Sequence, residues 1–196
     1  FEEDDFNEAG FARQVAERLG TRHTELYCTV NDAKKLLDEV PLFYDEPFAD
    51  GSMLPSMLLS NLAKKSVTVA LSGDGGDEVF CGYNMYDYLL MQRKLLFLGK
   101  INNHIIKPHI LRGNLSWKIG KIINATTEKE IVAIDYMNTL DLINFYPIQG
   151  NYKEKLQSVY DQLTYGNIQE KRMIIDSLTY LPDDILTKVD RAAMAC

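Results

Sequence analysis

Apolar residues recur at helical spacing along the first third of the chain and then give way to a continuous run. Ala12, Val15, Ala16 and Leu19 fall at i, i+3, i+4 and i+7, which lines one face of a helix, and Gly20 supplies its stop. Ala33, Leu36, Leu37 and Val40 repeat that spacing and predict a second helix, ended by Pro41. Leu54, Met57, Leu58 and Leu62 predict a third. Glu25 to Val30 reads as a strand, and the β-branched run Val67, Thr68, Val69, continued by Ala70 and Leu71, reads as a buried one. Strands alternating with helices predict a parallel sheet covered on both faces. From Glu78 onward only helical patterns recur, such as Ile131, Ile134, Asp135 and Asn138 with apolar neighbours. The chain therefore reads as α/β first and all-helical afterwards, without an internal repeat.

In sheets of this kind ligands lie beyond the carboxyl ends of the strands. The strand predicted at 67–71 runs there into Ser72-Gly73-Asp74-Gly75-Gly76-Asp77-Glu78 and then a predicted helix. Three glycines and a serine let backbone N–H groups approach an anion closely, and the helix would aim its positive end at the same place. Asp74 and Asp77 would repel a bare phosphate. A Mg²⁺ between them and the phosphate removes the conflict, because Mg²⁺ is usually held by one or two carboxylates plus phosphate oxygens. The turn thus suits a metal-bound polyphosphate. An ordinary strand-to-helix turn with acidic residues at the helix start accounts for Gly75, Asp77 and Glu78 without any ligand, so spacing leaves both readings open.

The stretch SGDGGDEVFCGYNMY, residues 72–86, resembles a signature of the glutamine-hydrolysing asparagine synthetase family, whose pattern is SG-acid-G-small-DE-hydrophobic-F-x-GY. Two further stretches agree with that family, in order. Tyr44-Asp45-Glu46-Pro47-Phe48-Ala49-Asp50 is similar to its DEPFAD segment, and Tyr180 to Arg191 (YLPDDILTKVDR) to its YLPDDIL-x-KVDR segment. Ala12 through Gly20, with His23 and Glu25, is similar to its AxxVAxxLGxxHxE portion. The stretch from about 90 to 165 is less recognisable. The resemblance implies the nucleotide α-hydrolase-like (ATP pyrophosphatase) fold, with residues 1–90 as a partial α/β region and 91–196 as a helical region of the same synthetase domain.

It also implies a reaction: a carboxylate, aspartate first, is activated by ATP as an acyl-adenylate with release of pyrophosphate, and ammonia attacks the acyl carbon. Ser72 and Gly73 match ATP-contacting positions, with Gly75 and Gly76 in the same cofactor-binding turn. Asp77 matches a Mg²⁺ ligand, and such a cation would neutralise and orient the departing pyrophosphate. Asp74 stands where relatives carry an acid tied to forming or consuming the adenylate. Many have Glu there; Asp is one methylene shorter. Asp184, beside Asp183, is the second catalytic candidate, although N-capping after Pro182 explains Asp183 as well. Lys188, Asp190 and Arg191 also fit a salt-bridged helix face. Asp45, Glu46 and Asp50 border the site on this reading, while Asp50-Gly51-Ser52 is equally a helix start. His23 is expected to be structural.

Departures from the family matter too. The family's SGGxDS pyrophosphate loop does not occur in the sequence, and neither does the glutaminase domain with its N-terminal cysteine. The expectation is an internal fragment of a longer polypeptide, inactive by itself, whose glutaminase domain supplies ammonia in the intact protein. Related adenylating enzymes with other acceptors, of the β-lactam synthetase-like or sugar-acid amidating kinds, remain alternatives. So does a non-catalytic module that keeps the fold.

Composition narrows the classes little further. The chain has 196 residues and a net charge of −7, which disfavours a general nucleic-acid binder. Residues 88–127 depart from this balance, with seven Lys/Arg and no Asp or Glu; a nucleic-acid or interdomain contact and a solvated helical face are both compatible. No run approaches the roughly 18 apolar residues of a membrane span. Cys28, Cys81 and Cys196 have neither metal-ligand nor disulfide spacing, which favours a reduced, cytoplasmic setting. Cys81, beside the glycine turn, reads as a small buried filler or as a reactive thiol.

Overall fold

A computed structural model describes residues 7–48, 50–94, 96, 125–139 and 152–196, with the side chains of 134–139 and 152–155 excepted. Its helices are α1 (Ala9–Leu19), α2 (Val30–Leu37), α3 (Val40–Phe43), α4 (Met53–Lys64), α5 (Gly76–Phe80), α6 (Asn84–Lys94), α7 (Glu128–Thr139), α8 (Tyr152–Gln162), α9 (Ile168–Leu178) and α10 (Thr187–Met194). A π-helical turn, Leu181–Leu186, precedes α10. Among the described residues no helix is long and apolar enough to cross a membrane. The basic stretch over 88–127 lies largely outside the described residues.

The three helices expected from apolar spacing are present. Gly20 closes α1 in the left-handed conformation (φ 64°), with its N–H bonded to the Ala16 and Glu17 carbonyls. Pro41 behaves otherwise than expected: α2 ends at Leu37, and the proline opens α3, where its missing N–H would have no helical partner anyway.

Neither predicted strand is a strand. Residues 21–29 and 67–73 carry no regular secondary structure, with a bend at Thr68, and no strand occurs among the described residues. The physical reason is partnership. β-branched propensity measures fit to a pleated, half-covered surface, and nothing described pairs with either segment, so Leu71 is 100% exposed. The first segment also ends earlier than its pattern predicts. Thr29 accepts a hydrogen bond from Asp32 N (3.2 Å) while the Asp32 carboxylate accepts from Thr29 N (3.3 Å), a capping box that places Val30 in α2. His23, expected to be structural, sits 3.3 Å from Glu25. Arg13 holds that carboxylate through two hydrogen bonds of 2.8 and 2.7 Å, which lowers the Glu25 pKa to about 2.

The chain divides into two compact units, Phe1–Ser72 with Asp183–Cys196, and Gly73–Pro182. The boundary expected near residue 90 falls inside α6 of the second unit.

In the first unit α4 packs on α2 and α10. Leu36, Tyr44, Met57 and Ala192 are its buried centre, and Tyr44 stacks on Phe48 with ring centroids 5.0 Å apart.

In the second unit α9 packs on α5, α6, α7 and α8. Asn167 caps α9 by accepting from Gln169 N and Glu170 N, so the helix starts where Ile168 enters the core. Ile168, Arg172, Ile175 and Asp176 follow at helical spacing and are all buried. Burying two charges is unfavourable unless they are paired and hydrogen-bonded. Arg172 Nε donates to both Asp176 oxygens (2.9 and 3.0 Å), and Tyr86 Oη donates to Asp176 Oδ2 at 3.0 Å. The apolar centre around them comprises Tyr86, Leu89, Ala125, Ile131, Val132, Leu156, Tyr160, Ile168 and Ile175.

Candidate nucleotide site and the family of the chain

Ser72, Gly73 and Asp74 are exposed, and the backbone tightens immediately after them. Gly76 N donates to Gly73 O at 3.0 Å, closing a four-residue turn. Gly75 has φ 87° and ψ −7°, a conformation at the third position of a turn that favours glycine. A Cβ there would also stand 3.5 Å from Leu181 Cδ2. α5 then runs for five residues only. The expectation of a full helix dipole aimed at the turn is therefore corrected: dipoles add along aligned peptides, and one turn aligns few. What the turn offers an anion is its own N–H groups.

Two left-handed residues bracket α5, Gly75 before it and Cys81 after it. Cys81 is the only non-glycine residue with positive φ (62°) among the described residues. Its half-buried thiol packs against the core of the second unit, and burial followed by the Asp87 charge pushes its pKa up. An activated thiol would be shifted downward, so the environment is that of a filler.

Asp77 is exposed, in the first turn of α5. Glu78, next to it, is buried, and its Oε1 accepts from Tyr83 Oη at 2.8 Å. Tyr83 in turn meets Tyr180 edge-on, with centroids 6.2 Å apart. Glu78 and Val79 also line an apolar hollow of about 510 Å³ with Tyr165, Gly166, Met173 and Ile174. That hollow contains neither Asp74 nor Asp77 in its lining.

Asp183 and Asp184 lie in the π-helical turn, Asp183 exposed and Asp184 half-buried. The capping alternative for Asp183 fails, because the residue sits inside a helical turn rather than ahead of one. Single π turns inside helices recur at functional sites.

The motif at 44–50 meets the 183–191 part of the last motif within the first unit. Lys188 Nζ donates to Asp50 Oδ2 (2.8 Å) and to Ser52 Oγ (2.6 Å), and Tyr44 Oη donates to the Lys188 carbonyl at 3.2 Å. Arg191 pairs with Asp45 at 2.8 Å on the surface. Lys188 and Arg191 thus bind carboxylates far away in sequence rather than the neighbouring Asp190. Asp50 also accepts from Ser52 N and Oγ, both at 2.7 Å, ahead of α4. Asp50 thus shapes the turn ahead of α4, in line with its reading as a helix start, and holds Lys188 as well.

Burial alone would raise the Asp50 pKa, but the hydrogen bonds from Lys188 and Ser52, with the lysine charge, outweigh it and hold it below its ordinary 3.8. A depressed carboxyl stabilises the fold fully above its unfolded pKa and loses that contribution as pH falls through the folded value. Asp50→Asn leaves Lys188, only 7% exposed, without its counter-charge. The expected loss near neutral pH is about 3 kcal/mol, read as faster amide exchange in α4 and α10. The variant should also lose part of the stability change that the parent shows below pH 3.8. Unchanged exchange would remove the pair from the stability of this unit.

With this geometry in hand, comparison with known proteins is decisive at the level of family. The sequence model described as asparagine synthase matches residues 1–196. The chain belongs to the asparagine synthase family. That family has the nucleotide α-hydrolase-like fold.

Among relatives, asparagine synthetase [glutamine-hydrolyzing] 1 of Bacillus subtilis is 28% identical over 208 residues, covering 100% of this chain and 32% of that protein. Putative asparagine synthetase [glutamine-hydrolyzing] 2 of Methanocaldococcus jannaschii is 30% identical, covering 96% of this chain and 38% of its own length. Asparagine synthetase [glutamine-hydrolyzing] 3 of Arabidopsis thaliana is 40% identical over 75 residues, 36% of this chain. The chain spans about a third of the first two relatives. No solved structure matches it significantly.

Sequence reasoning missed two features of this asparagine synthase-family chain. One is the Asp50–Lys188 pair, whose signal was the presence of both residues in ordered motifs of one family. The other is the close approach of Gly82 to Asp77, for which spacing gives no signal.

Proposed function

We propose that the intact protein is an ATP-dependent ligase that converts aspartate to asparagine, with AMP and pyrophosphate as the other products. The observation that carries this reading is the turn Ser72–Asp77, with its exposed backbone and left-handed Gly75, inside a chain matched end to end by the family. Relatives are named glutamine-hydrolyzing. On that ground ammonia comes from glutamine, released by a glutaminase domain outside this chain. A cytoplasmic, reduced setting belongs to the same proposal.

The side-chain carboxylate of aspartate attacks the α-phosphorus of ATP, and pyrophosphate leaves. Ammonia then attacks the acyl carbon, and AMP departs with the carboxylate oxygen. In this reading the Ser72 hydroxyl and the N–H groups of Gly73, Gly75 and Gly76 hold the phosphates and disperse charge that grows as pyrophosphate leaves. Asp74 takes the proton that ammonium must lose to become a nucleophile. Asp184 is proposed as a second carboxylate acting on the substrate.

Asp77 offers hard oxygen donors at the surface, and among the described residues no cluster of three or more His, Cys, Asp or Glu forms a cage. This donor set fits Mg²⁺, which completes its shell with substrate phosphates. Asp77 would hold the cation, which when bound neutralises polyphosphate charge. The stretch 67–71, exposed here, is proposed to join a parallel sheet in the intact protein.

The test is a product assay on the intact protein with aspartate, ATP and either ammonia or glutamine. Asparagine, AMP and pyrophosphate in equal amounts are expected. ADP and phosphate, or no consumption of aspartate, would overturn the reading.

A further inference from the structure

We propose that Gly82 is a positioning residue for the Asp77 carboxylate, an inference that rests on the reading of Asp77 as the magnesium ligand. Gly82 does not have positive φ, so backbone freedom is not what requires glycine here. Space is. A Cβ built on Gly82 would overlap Asp77 Oδ1 outright and would lie 2.8 Å from the Asp77 Cγ and 3.0 Å from its Cα.

The chain is brought there by α5 and its end. Left-handed Cys81 turns the backbone back, and Gly82 N donates to the Asp77 carbonyl at 2.9 Å. The face of Gly82 that lacks a side chain then lies under the Asp77 carboxylate, which occupies the volume a methyl group would fill.

Which part would yield decides the prediction. The severe overlap is with the end of a side chain, whereas the backbone contact is tight but tolerable. A methyl at Gly82 therefore rotates the carboxylate away and leaves α5 in place. The cost falls on ligand geometry more than on folding. The neighbouring Glu78 carboxylate cannot substitute, because it is buried and bonded to Tyr83.

The experiment uses the intact protein and Mn²⁺ as a paramagnetic probe, titrated with α,β-methylene-ATP present and followed by electron paramagnetic resonance. Gly82→Ala should weaken Mn²⁺ binding about tenfold, the range seen when a group supporting a metal ligand is lost. Asp77→Asn should weaken it more, and adding Gly82→Ala to Asp77→Asn should change nothing further. Wild-type affinity in Gly82→Ala, with weakened binding in Asp77→Asn, would overturn the positioning role and leave the metal reading standing. Full affinity in both variants would overturn the metal reading and this inference with it. Additive losses would overturn the inference by showing that Gly82 acts elsewhere. Should Gly82→Ala not fold, Gly82→Ala with Asp77→Gly decides: recovered folding supports the overlap described, and continued failure overturns it.

Discussion

Asp77→Asn in the intact protein should cut asparagine formation at least about 100-fold and raise the magnesium concentration needed for half-maximal rate. A hundredfold corresponds to about 3 kcal/mol of transition-state stabilisation, within what a cation contributes at a departing pyrophosphate. The substitution keeps volume and a hydrogen-bonding oxygen but removes the charge, so effects of shape are small. Asp77 is exposed, which separates this variant from the folding defects that follow substitution of a buried residue. Circular dichroism should be unchanged. The measurement is initial rate against Mg²⁺ at saturating ATP and aspartate. Near-normal turnover with an unaltered magnesium profile would remove Asp77 from the site.

The second large effect concerns stability. Arg172→Met should destabilise the second unit by about 3–5 kcal/mol, because the buried Asp176 carboxylate would lose its guanidinium partner. The Tyr86 hydroxyl remains as a donor, but a neutral hydrogen bond does not replace the charge of the lost guanidinium. Amide exchange in α9 reports on this unit separately from the rest of the intact protein. Exchange should accelerate by two orders of magnitude or more, about tenfold for each 1.4 kcal/mol. Replacing both partners, with Arg172→Met and Asp176→Leu, should recover much of the loss, since an apolar pair of similar volume carries no desolvation penalty. Equal instability of the double and single variants would show that the pair is needed for more than mutual neutralisation.

How much of this was legible in the sequence depends on whether the cause is local. Ala12, Val15, Ala16 and Leu19 announce α1 because helical hydrogen bonds close within the segment. Gly20 announces its end for the same reason. Val67 to Leu71 announces a strand with equal clarity, yet a strand closes its hydrogen bonds only on a neighbour, and none is described. Its composition is a statement about surroundings.

Pro41 and Thr29 carry local signals that point two ways. A proline both stops and starts helices, and a Thr-x-x-Asp capping box outranks the strand propensity of Val30. In the candidate site, glycine at 75 follows from turn geometry. Glycine at 82 is required by a side chain five positions earlier, which only coordinates reveal. The Asp50–Lys188 pair spans 138 residues, beyond any periodicity, and came within reach only through ordered motifs.

The most direct test is a structure of the intact protein with magnesium and α,β-methylene-ATP, which resists cleavage at the reacting bond. The account predicts phosphate oxygens within hydrogen-bond distance of the N–H groups between Gly73 and Gly76. It also predicts a cation about 2.1 Å from an Asp77 oxygen. Nucleotide bound elsewhere, or a cation coordinated without Asp77, would contradict it.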